Sequence, residues 1–162
     1  MTGSINFFLQ WEEYFAAQEF FRRHRQRLSP SLIIGTLLIV FGAILFLLGD
    51  LFFFAADVLV IGIIILLAAP LVRRLVSKRK WRREPFYHAE HEVTFSEDGI
   101  YFRMGQTESN LNWMYYQRWV ESPEGFLLVY GNDSFNLLPK RAFGDEKLVG
   151  DFRTLVKKKL AH

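Results

Sequence analysis

Hydrophobic and polar positions divide this chain into three stretches with different periodicities. From Ser31 to Val72 the only ionisable residues are Asp50 and Asp57. A spanning helix needs about 20 apolar residues to cross a hydrocarbon core about 30 Å thick. This run is too long for one span and long enough for two. Gly49-Asp50 falls near its middle, where a turn is required. The pattern predicts helices over about 31–50 and 54–72, a transmembrane hairpin occupying 31–72. A soluble buried hairpin does not fit, because so short a chain has too little surface elsewhere to cover two helices apolar all round. A signal peptide does not fit either, since the apolar run begins deep in the chain and a second follows directly.

Before the hairpin, residues 1–30 read as a short strand, Ile5–Leu9, and an amphipathic helix through "WEEYFAAQEFFRRHRQRL". The helix has acids at its start and bases at its end, as its dipole prefers. Trp11, Tyr14, Phe15, Ala17 and Phe21 form its apolar stripe, which suits either a membrane surface or the soluble domain. Ser29 and Pro30 are placed to cap and open the next helix.

After it, residues 73–88 read as a basic linker, and 89–162 as short alternating strands near 89–95, 100–104, 109–113, 116–121, 126–130 and 134–138. "SEDG", "SPEG" and "GND" are the turns, with Gly99, Gly125 and Gly131 free to take positive φ. Leu148, Val149, Phe152, Leu155, Val156 and Leu160 then give a final helix its buried stripe. The expected plan is α+β: a two-helix transmembrane hairpin plus an antiparallel sheet of six strands with a C-terminal helix. Ile5–Leu9 is a candidate seventh strand.

Small residues supply a register for the hairpin. Gly35, Gly42 and Gly49 recur every seventh position, as do Ala55, Gly62 and Ala69. Folding back around Phe52 sets Gly35 opposite Ala69, Gly42 opposite Gly62 and Gly49 opposite Ala55, a seam that permits close helix approach. Asp57, about one turn inside the second helix, reads as an acid solvated at the outer interface or capping the helix. Pro70 suggests a kink or helix end.

The charge is unevenly placed. The net charge is +3, and eleven of the 20 Lys and Arg residues flank the apolar run: Arg22, Arg23, Arg25, Arg27, Arg73, Arg74, Lys78, Arg79, Lys80, Arg82 and Arg83. Positive flanks stay in the cytoplasm, so both termini are expected there. Each of these side chains is also a candidate contact to anionic headgroups, worth about 1 kcal/mol near the surface. Membrane lipid therefore accounts for the basic balance better than nucleic acid.

Candidate chemistry is sparse. The chain has no cysteine, which excludes disulfides and thiolate sites. His88, Glu90 and His91 lack the spacing of a metal motif. No phosphate loop or nucleophile motif occurs, so no catalytic residue, cofactor or metal is assigned. Trp113, Tyr115, Tyr116 and Trp119 form an aromatic cluster; in an extended chain Tyr116 would point away from the other three. "LLPKRAF" (137–143) reads as strand-to-helix punctuation, with Lys140 and Arg141 at the corner and headgroup contact as a second use.

"NWMYYQRWVESPEGFLL" followed by "LLPKRAFGDEKLVGDF" resembles the C-terminal domain of YcxB-like bacterial membrane proteins. Trp113, the Phe126-Leu127-Leu128 strand, and Pro139, Lys140, Arg141 and Phe143 carry the resemblance. "INFFLQWEEY" resembles the family's opening segment, and the hairpin between these parts agrees with it. The resemblance implies an inner-membrane protein with a pleckstrin-homology-like (PH-like) sheet closed by its C-terminal helix. It implies no activity. The usual basic loop of PH-like folds, between the first two strands, is replaced here by the whole hairpin. The expected function is a non-enzymatic membrane protein presenting a cytoplasmic binding module to a protein partner. The alternatives are an accessory subunit of a membrane complex, or an anionic-lipid binder.

Overall fold

The computed structural model describes residues 2–24, 29–49, 52–131 and 134–160. The chain forms two compact units, one from segments 1–25 and 81–162 and the other from 26–80.

In the first unit, the described residues form two antiparallel sheets. One has the order β1-β2-β3-β4 and the other β5-β6-β7. The strands are β1 (Gly3–Phe8), β2 (Glu90–Phe95), β3 (Gly99–Met104), β4 (Thr107–Asn112), β5 (Arg118–Glu121), β6 (Gly125–Tyr130) and β7 (Ser134–Pro139). The N-terminal strand does join the later strands: Gly3 pairs with Phe95 and Phe8 with Glu90, across the length of the hairpin. The single six-stranded sheet expected above is replaced by this four-plus-three arrangement. The cause is local, because residues Trp113–Tyr115 form a 3-10 turn and β4 and β5 do not pair.

Strand alternation builds the core. Ile5 and Phe7 of β1 point inward, as do His91, Val93 and Phe95 of β2. The four apolar ones share one cluster with the stripe of α4 (Glu146–Lys159), from which Val149, Phe152, Leu155 and Val156 are buried. Phe152 is fully buried, with ring centroids 4.8 Å from Phe95, 5.0 Å from Phe126 and 5.2 Å from Phe143. Asp145 caps α4 by accepting from the Leu148 N–H at 2.6 Å.

Strand β6 is apolar on both faces because both faces are covered. Phe126 and Leu128 enter this core, while Leu127 and Val129 face α1 (Trp11–His24), meeting Ala17 and Phe21. The N-terminal helix thus uses its apolar stripe on the sheet and not on a lipid surface. Gly99 and Gly125 are glycines for a reason other than positive φ, which among the three expected positions only Gly131 adopts, at 61°. A Cβ at Gly125 would lie 2.3 Å from the Leu138 carbonyl oxygen, and one at Gly99 2.4 Å from that of Leu111. Close strand approach excludes a side chain at both.

An aromatic box completes this unit. Trp81 is 8% exposed. It stacks on Tyr87 at 4.8 Å and meets Trp11 at 5.7 Å and Tyr14 at 5.4 Å. The Tyr14 and Tyr87 hydroxyls are 3.0 Å apart.

The second unit is a helical hairpin. Helix α2 spans Pro30–Leu48; Ser29 caps it, accepting from the Leu32 N–H, and Gly49 ends it at φ 79°. Helix α3 runs from Phe52 to Arg83, with Pro70 inside it. Pro70 therefore does not end the helix, and the basic stretch 73–83 is continuous helix where a linker was expected. Only residues 85–88 beyond it form a separate 3-10 turn. Both helices are long and apolar enough to cross a membrane.

The helices approach through glycine, in a register tighter than the one expected. A Cβ on Gly35 would lie 2.7 Å from Leu66, one on Gly42 2.8 Å from Leu59, and one on Gly62 2.9 Å from Ile39 and 3.0 Å from the Gly35 carbonyl. Gly62 therefore faces Gly35 and Ile39, not Gly42. Ala55 is fully buried and Ala69 half-buried. Gly49 serves as the C-cap, and a Cβ there would meet nothing within 4 Å among the described residues. A turn placed at Gly49, with α3 starting at Phe52, shifts the fold-back point toward the N-terminus.

Truncating Phe152 to Ala should cost about 3–5 kcal/mol, the range for a fully buried phenylalanine. Denaturant unfolding of the full chain followed by the near-UV signal of the aromatic core measures this; a loss under about 1 kcal/mol would contradict the packing described.

Candidate functional site

The chain turns from β7 into α4 through a 3-10 turn, Lys140–Phe143, and the two basic side chains of this corner are both engaged. Lys140 Nζ donates to the Ser122 carbonyl at 3.0 Å and lies 2.8 Å from Glu121 Oε1. Arg153 of α4 grips the same carboxylate with two hydrogen bonds of 2.8 Å. Both cations also sit over the Phe126 ring, at 5.8 and 5.9 Å. The Arg153 guanidinium, with Lys140 beside it, holds the Glu121 carboxyl down at about 2. Arg141 donates to Glu13 of α1 and, at 2.6 Å, to the Phe8 carbonyl at the end of β1.

These contacts assign the corner a structural job. It joins β5, β7 and α4 through Glu121, and ties the N-terminal segment to the C-terminal one through Arg141. Pro139 is fully buried, and Phe143 packs with Phe95, Phe126 and Phe152. Trp113 is buried and its indole N–H donates to the Ser96 carbonyl at 2.9 Å. Each motif residue singled out in the sequence thus has a packing or pairing role inside this unit, and Lys140 and Arg141 are both in ion pairs.

The flanking basic residues divide by location. Arg22 and Arg23 occupy the last turn of α1, where Arg22 pairs with Glu19 at 2.7 Å. Arg25 and Arg27 lie outside the described residues, as do Asp50 and His162. On α3, Arg73 Nε donates to the Ala69 carbonyl at 3.2 Å. Arg74, Lys78, Arg79, Lys80, Arg82 and Arg83 are exposed along the same helix. The continuous helix turns what would be a floppy tether into a charged rod.

The aromatic cluster is redistributed by the 3-10 turn after β4. Trp113 and Tyr116 are buried, and Tyr116 accepts from Asn136 Nδ2 at 2.9 Å. Met114 is 92% exposed and Tyr115 48% exposed. The extended-chain reading put Trp113 with Tyr115 on one face and set Tyr116 apart. The tighter rise of the turn overturns it. Beside the turn lies a cleft of ≈ 670 Å³, lined by Glu97, Asp98, Trp113, Met114, Lys159 and their neighbours. Glu97 is paired with Lys158 and Lys159 across its rim, and Lys159 foremost lowers its carboxyl. Sequence reasoning missed the cleft because its walls come from three distant segments. The run of Met114-Tyr115 between buried aromatics was its only local trace.

The described residues contain no cluster of three or more metal-ligating side chains. His88 Nε2 lies 3.0 Å from the Trp81 carbonyl. His91 is 3% exposed and stacked on Phe7 at 5.3 Å, with Phe86 edge-on at 5.1 Å. Its Nε2 is buried without a partner. Burial lowers its pKa, a hydrogen bond to the Phe86 backbone only partly opposing this.

Acid should weaken this unit in two separate pH windows. His91 binds its proton more readily unfolded, so stability falls as pH drops below its ordinary value near 6.5. His91→Phe should flatten that window while keeping the stack. Glu121 is held down when folded, so its contribution is complete above about 4.5 and is lost as pH falls toward about 2. Glu121→Gln should remove the lower window alone. Unfolding midpoints of both variants between pH 3 and 8 measure this, and a His91→Phe profile parallel to the parent would refute the first assignment.

Residues 95–156 match the family model described as YcxB-like protein. The match runs from the end of β2 into α4 and includes Trp113, Pro139, Lys140, Arg141 and Phe143; β1, α1 and the hairpin lie outside it. No curated protein matches the chain, and no solved structure does.

Proposed function

We propose, for a chain whose residues 95–156 form a YcxB-like domain, an integral membrane protein that presents a PH-like module to a protein partner. The hairpin is the anchor in this reading. Its support is the outward face of both helices, where large apolar side chains such as Leu37, Phe41, Leu47, Phe53 and Leu67 are each more than half exposed. Membrane is the solvent in which such a surface is stable. The segments on either side of the hairpin belong to one unit, so they lie on the same side of the bilayer. In this reading the basic run 73–83 favours the cytoplasm for that side. Four strands followed by three and then a C-terminal helix support the PH-like reading.

The observation that carries the binding role is the surface next to β4. The outer edge of β4 pairs with no strand among the described residues, and the adjoining turn exposes Met114 and Tyr115. An open edge offers backbone hydrogen bonds to an extended partner segment, and methionine and tyrosine suit an adaptable contact surface. The module is non-enzymatic in this reading. An accessory-subunit role is the alternative, and anionic lipid would orient the module through the exposed bases of α3.

Crosslinking in native membranes with the full chain tests this. A soluble partner should be recovered, and Met114→Asp with Tyr115→Ala should reduce it about tenfold, a change expected of a contact worth roughly 1.4 kcal/mol. Equal recovery by parent and variant would sink the assignment of this surface. Reporter fusions at Asp50 and His162 test the topology; a C-terminus outside the cytoplasm would overturn the orientation.

A further inference from the structure

One of the two sequence readings of Asp57, that of a helix cap, is removed by the structure. Helix α3 begins at Phe52, so Asp57 is its sixth residue, beyond the first turn, where no backbone N–H is left for a side chain to cap. At 1.5 Å per residue it lies about 8 Å inside the helix start. The seam is on another face, lined by Ala55, Leu59, Gly62 and Leu66. Asp57 is exposed, and it has no hydrogen bond or ion pair among the described residues. The residues three and four positions away on its face are Phe53, Phe54, Val60 and Ile61, exposed by 85%, 55%, 53% and 51%. One acid therefore stands alone in the middle of an apolar surface.

In the membrane reading above, on which this inference rests, that surface faces hydrocarbon. A short carboxylate side chain reaches the interface less readily than Lys or Arg does, and an acid at this depth calls for a partner. The chain itself offers none: residues 40–48 and 52–60, the two segments at that depth, carry no nitrogen or oxygen side-chain atom except those of Asp57. A second copy would bring only another carboxylate to the same level. We infer that the outward face of α3 around Asp57 docks a helix of a different membrane protein, one that presents a Lys or Arg side chain about 8 Å below the same surface. Phe53, Phe54, Val60 and Ile61 would supply the packing, and the cation the specificity.

The test uses the full chain in its native membranes, with a photoreactive phenylalanine analogue in place of Phe53. An adduct is expected with an integral membrane protein whose crosslinked helix carries Lys or Arg within one turn of the labelled residue. Asp57→Leu should lower the adduct yield about tenfold, as loss of an interhelical polar contact implies; Asp57→Glu should preserve it within about twofold. Adducts with lipid alone, with a second copy, or with a protein whose yield ignores Asp57→Leu would each overturn the inference. An alkaline carbonate wash separates the two failures. Release of the chain from the membrane would sink the membrane reading and this inference with it. Retention of parent and Asp57→Leu alike, with an indifferent adduct, would sink the inference alone.

Discussion

The pairing of β1 with β2 is the constraint on which the rest of the structure depends. These strands are adjacent in the sheet and separated in sequence by α1 and the entire hairpin. A ladder in register from Gly3–Phe95 to Phe8–Glu90 forms only if the chain leaves the domain and returns to it. That return determines the destination of everything between. Helix α1 is held against the outer face of β6 and β7, and Trp81 is drawn in among Trp11, Tyr14 and Tyr87. Closing so long a loop is entropically costly, and the contacts that offset it cluster where the two chain segments meet.

The "LLPKRAF" corner belongs to the same economy of contacts. Arg141 bridges Glu13 and the Phe8 carbonyl, so a residue far along the chain holds down the end of β1 just where α1 begins. Lys140 and Arg153 converge on Glu121 and both lie over the Phe126 ring. A half-exposed ion pair contributes little by itself. Here three charges share a site with two hydrogen bonds of bidentate geometry, and the shared carboxylate cannot be replaced without freeing two cations. This is why a motif that looks like an anion clamp in the sequence is a joint in the fold.

The legible parts of the sequence were those set by local pattern. Alternation in "SINFF" and "EHEVTF" marks two strands, the spacing from Leu148 to Leu160 marks the last helix, and Ser29-Pro30 marks the start of α2. What escaped was decided by neighbours. Gly99 and Gly125 looked like turn glycines, yet the carbonyls of Leu111 and Leu138 are what exclude a side chain there. Tyr116 joined Trp113 in the core and Tyr115 was left outside because a 3-10 turn replaced extended chain. Pro70 stayed inside α3 instead of ending it, since a helix can lose one hydrogen bond when its neighbours persist.

By itself the sequence determined where the apolar length lies, which flank is charged, and the apolar stripes of α1 and α4, because periodicity and charge are properties of the chain alone. Tertiary structure decided which strands pair, that they split four and three, which of the hairpin's glycines oppose which side chains, and that Asp57 turns outward. These depend on distances between segments remote in sequence, and no local spacing encodes them. The offset of the hairpin turn by a few residues illustrates the difference. It left both apolar stretches helical where hydropathy put them, and it changed the pairings along the seam and the depth of Asp57 within the second helix.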